Sequence, residues 1–143
     1  MDKDTFEKIV AEEFPGAIPE RFRKQIENVA FLVEDQPSLE TRREEGLGSH
    51  ETLLGLYRGV PHTARGDFYG VGGTLPDTIT LFQKPIEFEA EQLQHSHIRA
   101  NVRMSDEEAV RRVVRETIWH EVAHHFGMNE HEVREREEER RSE

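Results

Sequence analysis

The chain has no cysteine, so disulfides and thiolate metal sites are excluded, and any metal must be held by His, Asp or Glu. It also lacks a long apolar run: no window approaches the roughly 20 residues that a membrane-spanning helix needs. The opening Met1-Asp2-Lys3-Asp4-Thr5 is charged and has no apolar stretch of the signal-peptide kind, so a soluble, cytoplasmic protein is expected. Positive charge is in short supply. With 19 Lys and Arg against 30 Asp and Glu, the net charge is −11, which disfavours nucleic acid and membrane as partners because their phosphates would be repelled. Much of that acidity is interspersed with arginine and reads as a solvated surface. At 143 residues the chain supports one compact domain, expected over 1–133 with a charged tail at 134–143. So small a core leaves a homodimer open.

Several segments carry secondary-structure signals. Phe6, Ile9, Val10 and Phe14 recur at helical spacing behind Asp2 or Asp4 as N-cap, and Pro15-Gly16 is expected to stop that helix. A second short helix fits between Pro19 and Asn28, with Phe22 and Ile26 on its inner face. Val29 to Val33 is a short continuous apolar run and reads as a buried strand. Pro37 to Ser49 is polar and reads as a loop. Leu53 to Tyr57 is a second strand candidate, and the alternating, β-branched Thr78-Ile79-Thr80-Leu81-Phe82 is a third. Between them, Gly66, Gly70, Gly72 and Gly73 mark a flexible connection near a cleft. No Lys-Ser/Thr pair or helix start follows to make it a phosphate loop. Pro85 is expected to end the third strand before a short helix from Ile86 to Leu93, with weak periodicity from Gln94 to Arg103. His95 and His97, inside that stretch, could chelate if extended, though they read better as surface histidines.

The strongest element begins at Ser105. Ser105-Asp106-Glu107-Glu108 is a capping-box pattern, and Val110, Val113, Val114, Thr117 and Ile118 then follow the i, i+3, i+4, i+7, i+8 rule of a buried helix face. The next positions on that stripe are Glu121, His124 and His125, so the inward face turns from aliphatic to ionisable. Burying an acid and imidazoles there is costly unless something satisfies them, and a metal would.

Glu121 and His124 belong to His120-Glu121-Val122-Ala123-His124, followed by Gly127 and Glu130, an HExxHxxGxxE pattern. Two histidines four positions apart project from one helix face about a turn apart, within reach of a single ion. Glu121 lies beside the pair, placed to act on a water without being a ligand. Gly127 can take the positive φ that ends the helix, after which Glu130 can swing back as third ligand; His131 and Glu132 are the neighbours that could substitute. Three protein ligands with an open position describe a catalytic Zn²⁺ site. The chemistry expected is metal-assisted hydrolysis, with Glu121 taking a proton from water and passing it to the leaving amine. Tyr57, Tyr69, His62 and His125 are candidates for a second oxyanion donor; Trp119 and Phe126 read as packing.

At this motif, and most specifically across His120 to Glu130, the chain resembles the zincin metallopeptidases, and in its length the minimal zincins. The resemblance covers Val29 to Gln36, Leu53 to Gly66, Leu75 to Glu87 and Glu107 to Glu130, about half the chain. It implies an α+β fold in which a small, partly antiparallel sheet lies over an active-site helix, with the metal at that helix's C-terminal half. It also implies that the third ligand, ten residues after the first histidine, is Glu130, and that Thr78–Gln83 is an edge strand pairing with an extended peptide substrate. No methionine follows Met128, so the Met-turn of the metzincins is absent, and there is no sizeable C-terminal subdomain. The function expected is a zinc-dependent metallopeptidase acting on a peptide or protein, weakly or very selectively. The alternative is a non-catalytic module that presents its cleft to a protein partner.

Overall fold

The computed structural model describes residues 1–23, 28–59 and 75–127. Ile26, the glycine-rich connection, Glu130 and the charged tail lie outside the described residues. Among the described residues, five helices and three strands follow in chain order: α1 (Lys3–Ala17), α2 (Glu20–Arg23), β1 (Val29–Glu34), α3 (Leu39–Glu44), β2 (Gly55–Arg58), β3 (Asp77–Phe82), α4 (Gln83–Arg99) and α5 (Asp106–His125). The strands form one mixed sheet in the order β1-β3-β2, with β1 parallel and β2 antiparallel to β3. This is the α+β architecture expected, with a partly antiparallel sheet packed against a long helix.

α5 begins where its capping pattern predicts. The Ser105 hydroxyl accepts from the Glu108 N–H at 3.1 Å, and Asp106, Glu107 and Glu108 set negative charge against the positive end of the helix dipole. Val110, Val113, Val114, Thr117 and Ile118 are all buried, joined by Trp119, Val122 and Ala123. Trp119 is 1 % exposed and packs on Phe22 with ring centroids 5.5 Å apart, its predicted packing role. Twenty residues of helix span about 30 Å, so α5 crosses the molecule and packs on α1, α4, β2 and β3. Gly127, at φ 76°, supplies the left-handed turn that stops it.

Three expectations are corrected. First, α1 runs through Pro15 to Ala17, because the hydrogen bond and clearance lost at a proline fall in the last turn, and Ala17 continues the buried stripe of Phe6, Ile9 and Val10. Second, Pro37–Ser49 holds α3, whose Ser38 cap accepts from the Thr41 N–H; Thr41 is its single buried side chain and receives the Arg58 guanidinium at 2.9 Å. Third, α4 is one helix over Gln83–Arg99. Pro85 falls in its first turn, where no intrahelical N–H is needed, so it opens the helix instead of separating it from the strand. His95 and His97 are therefore helical and do not share a strand face. The His97 ring contacts the Leu93 carbonyl at 3.0 Å and Arg112 at 3.4 Å.

The position of β3 is also corrected. It is the central strand, bonded on both sides and buried from Ile79 to Phe82, so it cannot be the edge that receives a peptide. Among the described residues the edges are β1 and β2. Gly55 brings β2 against α5: a Cβ there would stand 2.7 Å from Thr117 Cγ2 and 3.1 Å from the Thr80 carbonyl oxygen. Both neighbours are buried, so neither can yield freely. Gly55→Ala is accordingly expected to cost about 1–3 kcal/mol of overpacking, read as a lower urea midpoint with unchanged slope.

Candidate active site

A cavity of about 390 Å³ opens along α5. The helix lines it with Val113, Glu116, Thr117, His120, Glu121 and His124, six positions of one face over three turns. The opposite wall combines the Thr52–Gly55 stretch leading into β2 with Glu89 and Leu93 of α4. The two motif histidines and the glutamate between them therefore face one space at the C-terminal half of the long helix.

Each of the three is held differently. His120 is half-buried, and its Nδ1 lies 3.0 Å from the Glu116 carbonyl oxygen one turn back. A carbonyl only accepts, so Nδ1 carries the proton and Nε2 keeps its lone pair, the tautomer a metal ligand needs. His124 is one turn further on, with ring centroids 6.1 Å apart and ring planes at 86°. Its exposure leaves it open to solvent on the cavity side.

Glu121 is held by the sheet. The Leu54 carbonyl accepts from the Phe82 N–H, which sets the phase of the antiparallel ladder and turns the Tyr57 N–H away from β3. That edge N–H donates to Glu121 Oε2 at 3.1 Å. Burial pushes the Glu121 carboxyl above its ordinary range, and the Tyr57 hydrogen bond and the charges of His124 and His120 pull it partly back. A raised carboxyl among polar partners in a cleft is the arrangement that proton-transfer chemistry uses.

The sign of that shift makes a stability prediction for the metal-free protein. A carboxyl that binds its proton more tightly when folded contributes stability in acid and loses it as pH rises through the folded value. Glu121→Gln keeps an oxygen for the Tyr57 N–H and removes the buried charge. It should raise the thermal midpoint at neutral pH, with the advantage over wild type closing toward pH 4. Thermal melts in chelator across that range check it.

Sequence reasoning missed how Tyr57 is fixed. It is engaged at both ends: its hydroxyl donates to Asp77 Oδ2 at 2.7 Å, and its ring stacks on His125 with centroids 4.0 Å apart and planes at 20°. Its hydroxyl is thus committed to Asp77, and His125, expected on the inward stripe, turns out to cover the tyrosine instead. Asp77 opens β3 and has no local signal of this role; only the pairing of β2 with β3 brings it near Tyr57. Tyr69 and His62 lie outside the described residues, as do His131 and Glu132.

The donor set suits a zinc ion: one imidazole with its tautomer fixed, a second a turn away, and no lysine or arginine among the residues lining the cavity. Among the described residues, no third imidazole or carboxylate gathers with these two around one point; Glu130, the expected third ligand, lies outside them. No helix among the described residues is long and apolar enough to cross a membrane. No curated protein matches the chain. A family model described as zincin-like metallopeptidase does match, over residues 26–140 of the 143, from just before β1 through the histidine motif and beyond. By that match, and with the motif helix laid against a small mixed sheet, the chain belongs to the zincin-like metallopeptidase family.

Proposed function

We propose that the protein is a zinc-dependent metallopeptidase in which His120, His124 and Glu130 hold the metal and Glu121 is the general base. The observation that carries this reading is the placement of Glu121: a carboxylate buried at a cost, between two imidazoles, and held by a backbone N–H from the neighbouring strand. Zinc, when bound, would polarise the scissile carbonyl and bring the pKa of a water to about 7. The chain's own groups do the rest. The Tyr57 N–H fixes Oε2, leaving Oε1 to accept a proton from the attacking water and deliver it to the leaving amine. The Glu116 carbonyl keeps His120 in one tautomer and one orientation. The cavity beside these groups has room for side chains flanking the scissile bond.

A module that only binds a partner through this cleft would gain nothing from a buried carboxylate at Glu121, and an apolar residue there would be more stable. The test is hydrolysis of an unfolded protein substrate at neutral pH. Cleavage should stop on chelation and return with added zinc. Cleavage that persists through exhaustive chelation would contradict the proposal.

A further inference from the structure

The residues lining the cavity are not chemically uniform. Leu53, Leu54, Leu93 and Val113 give it apolar walls, and its acidic side chains, Glu89, Glu116 and Glu121, are opposed by no lysine or arginine among the lining residues. Two of the three are committed. Glu121 accepts from Tyr57, and Glu116 pairs with Arg112 at 3.4 Å. Glu89 differs. It stands on α4 one turn before Leu93, on the flank facing α5, and its exposed carboxylate has no cation partner among the described residues.

An apolar wall with a free carboxylate at its rim complements a side chain with a long aliphatic stem and a positive end. We infer that this groove selects peptides carrying lysine or arginine beside the scissile bond, with Glu89 as the specificity-determining residue. The stem packs on Leu93 and Leu53, and the cation reaches the Glu89 carboxylate. The surrounding field works in the same direction: a net charge of −11 raises the local concentration of cationic peptides and repels acidic ones. This inference rests on the proposed peptidase site, since it assigns that site's substrate class.

The experiment uses the full zinc-loaded chain and three peptides differing at one position: arginine, norleucine (similar stem, no charge) and glutamate. Binding is followed by fluorescence anisotropy on the Glu121→Gln protein, which should not turn the peptides over, and cleavage is followed on wild type. The arginine peptide should bind about fivefold more tightly than norleucine, the upper end for a partly exposed ion pair, and the margin should shrink as salt is raised. Adding Glu89→Gln should bring the ratio below about twofold, and Glu89→Lys should invert the order of arginine and glutamate. Glu89 is exposed, so both variants should keep the parent's urea midpoint.

Equal binding of arginine and norleucine, or a margin untouched by Glu89→Gln, would overturn the inference. The two readings fail separately. Cleavage without an arginine preference leaves the peptidase standing and removes Glu89 from specificity. An arginine preference in binding with no cleavage supports the groove and contradicts the hydrolase.

Discussion

Glu121→Gln should lose about 10²–10⁴-fold in kcat against any peptide that the wild type cleaves, while keeping its zinc. The substitution is nearly isosteric. The amide oxygen can still accept from Tyr57 N–H, so β2 and α5 should keep their spacing, and what disappears is the ability to take up a proton. The loss should fall on kcat and kcat/KM alike, because a base acts in the transition state and contributes little to holding substrate. A parallel rise in KM alone would place Glu121 in binding. Rates within a few-fold of wild type would end its role as base.

His124→Ala is the companion experiment and should fail earlier. Removing an outer-shell partner typically costs about 10–100-fold in metal affinity, and a direct ligand should cost more than that. Both zinc and turnover should therefore be lost, and adding excess zinc should restore little. His124 is exposed and contributes no large buried surface, so the variant should stay folded, and its secondary structure by circular dichroism should match wild type. His120 is a poorer choice for this test. It is half-buried and tied to the Glu116 carbonyl, so zinc lost on its removal would be mixed with local unpacking.

The motif helix was the most legible part of the chain because several local signals agreed there. A capping serine, an acidic first turn, a 3.6-residue apolar stripe and a terminal glycine all specify α5, and it forms with those boundaries. The apolar runs of β1 and β3 were legible for a similar reason. Which of them lies at an edge was not, because strand order is set by pairings between Val29–Glu34, Gly55–Arg58 and Asp77–Phe82, and no local pattern encodes those. The alternation of Thr78-Ile79-Thr80-Leu81 pointed the other way, to a strand with one solvated face, yet Thr80 is buried along with its apolar neighbours.

The misread helices share a different cause. α3 buries only Thr41, and α4 buries only Gln83, Ile86 and Ala90 across 17 residues. Their apolar stripes are too thin for periodicity to register, and caps and tertiary packing decide the outcome. At the site, spacing put His120, Glu121 and His124 on one helix face, and they do line one cavity, whereas the contacts that hold them were not readable. The Tyr57 N–H is 64 positions from Glu121 in sequence, and Asp77 is 20 from Tyr57. Folding joins them, through a glycine at 55 that lets the strand approach the helix.

Whether this helix end holds one divalent cation is decided by metal analysis of protein purified without chelator. Close to one zinc per chain is expected in wild type and in Glu121→Gln, and none in His124→Ala. Wild-type protein that arrives without zinc, and takes up none at micromolar concentration, would contradict it.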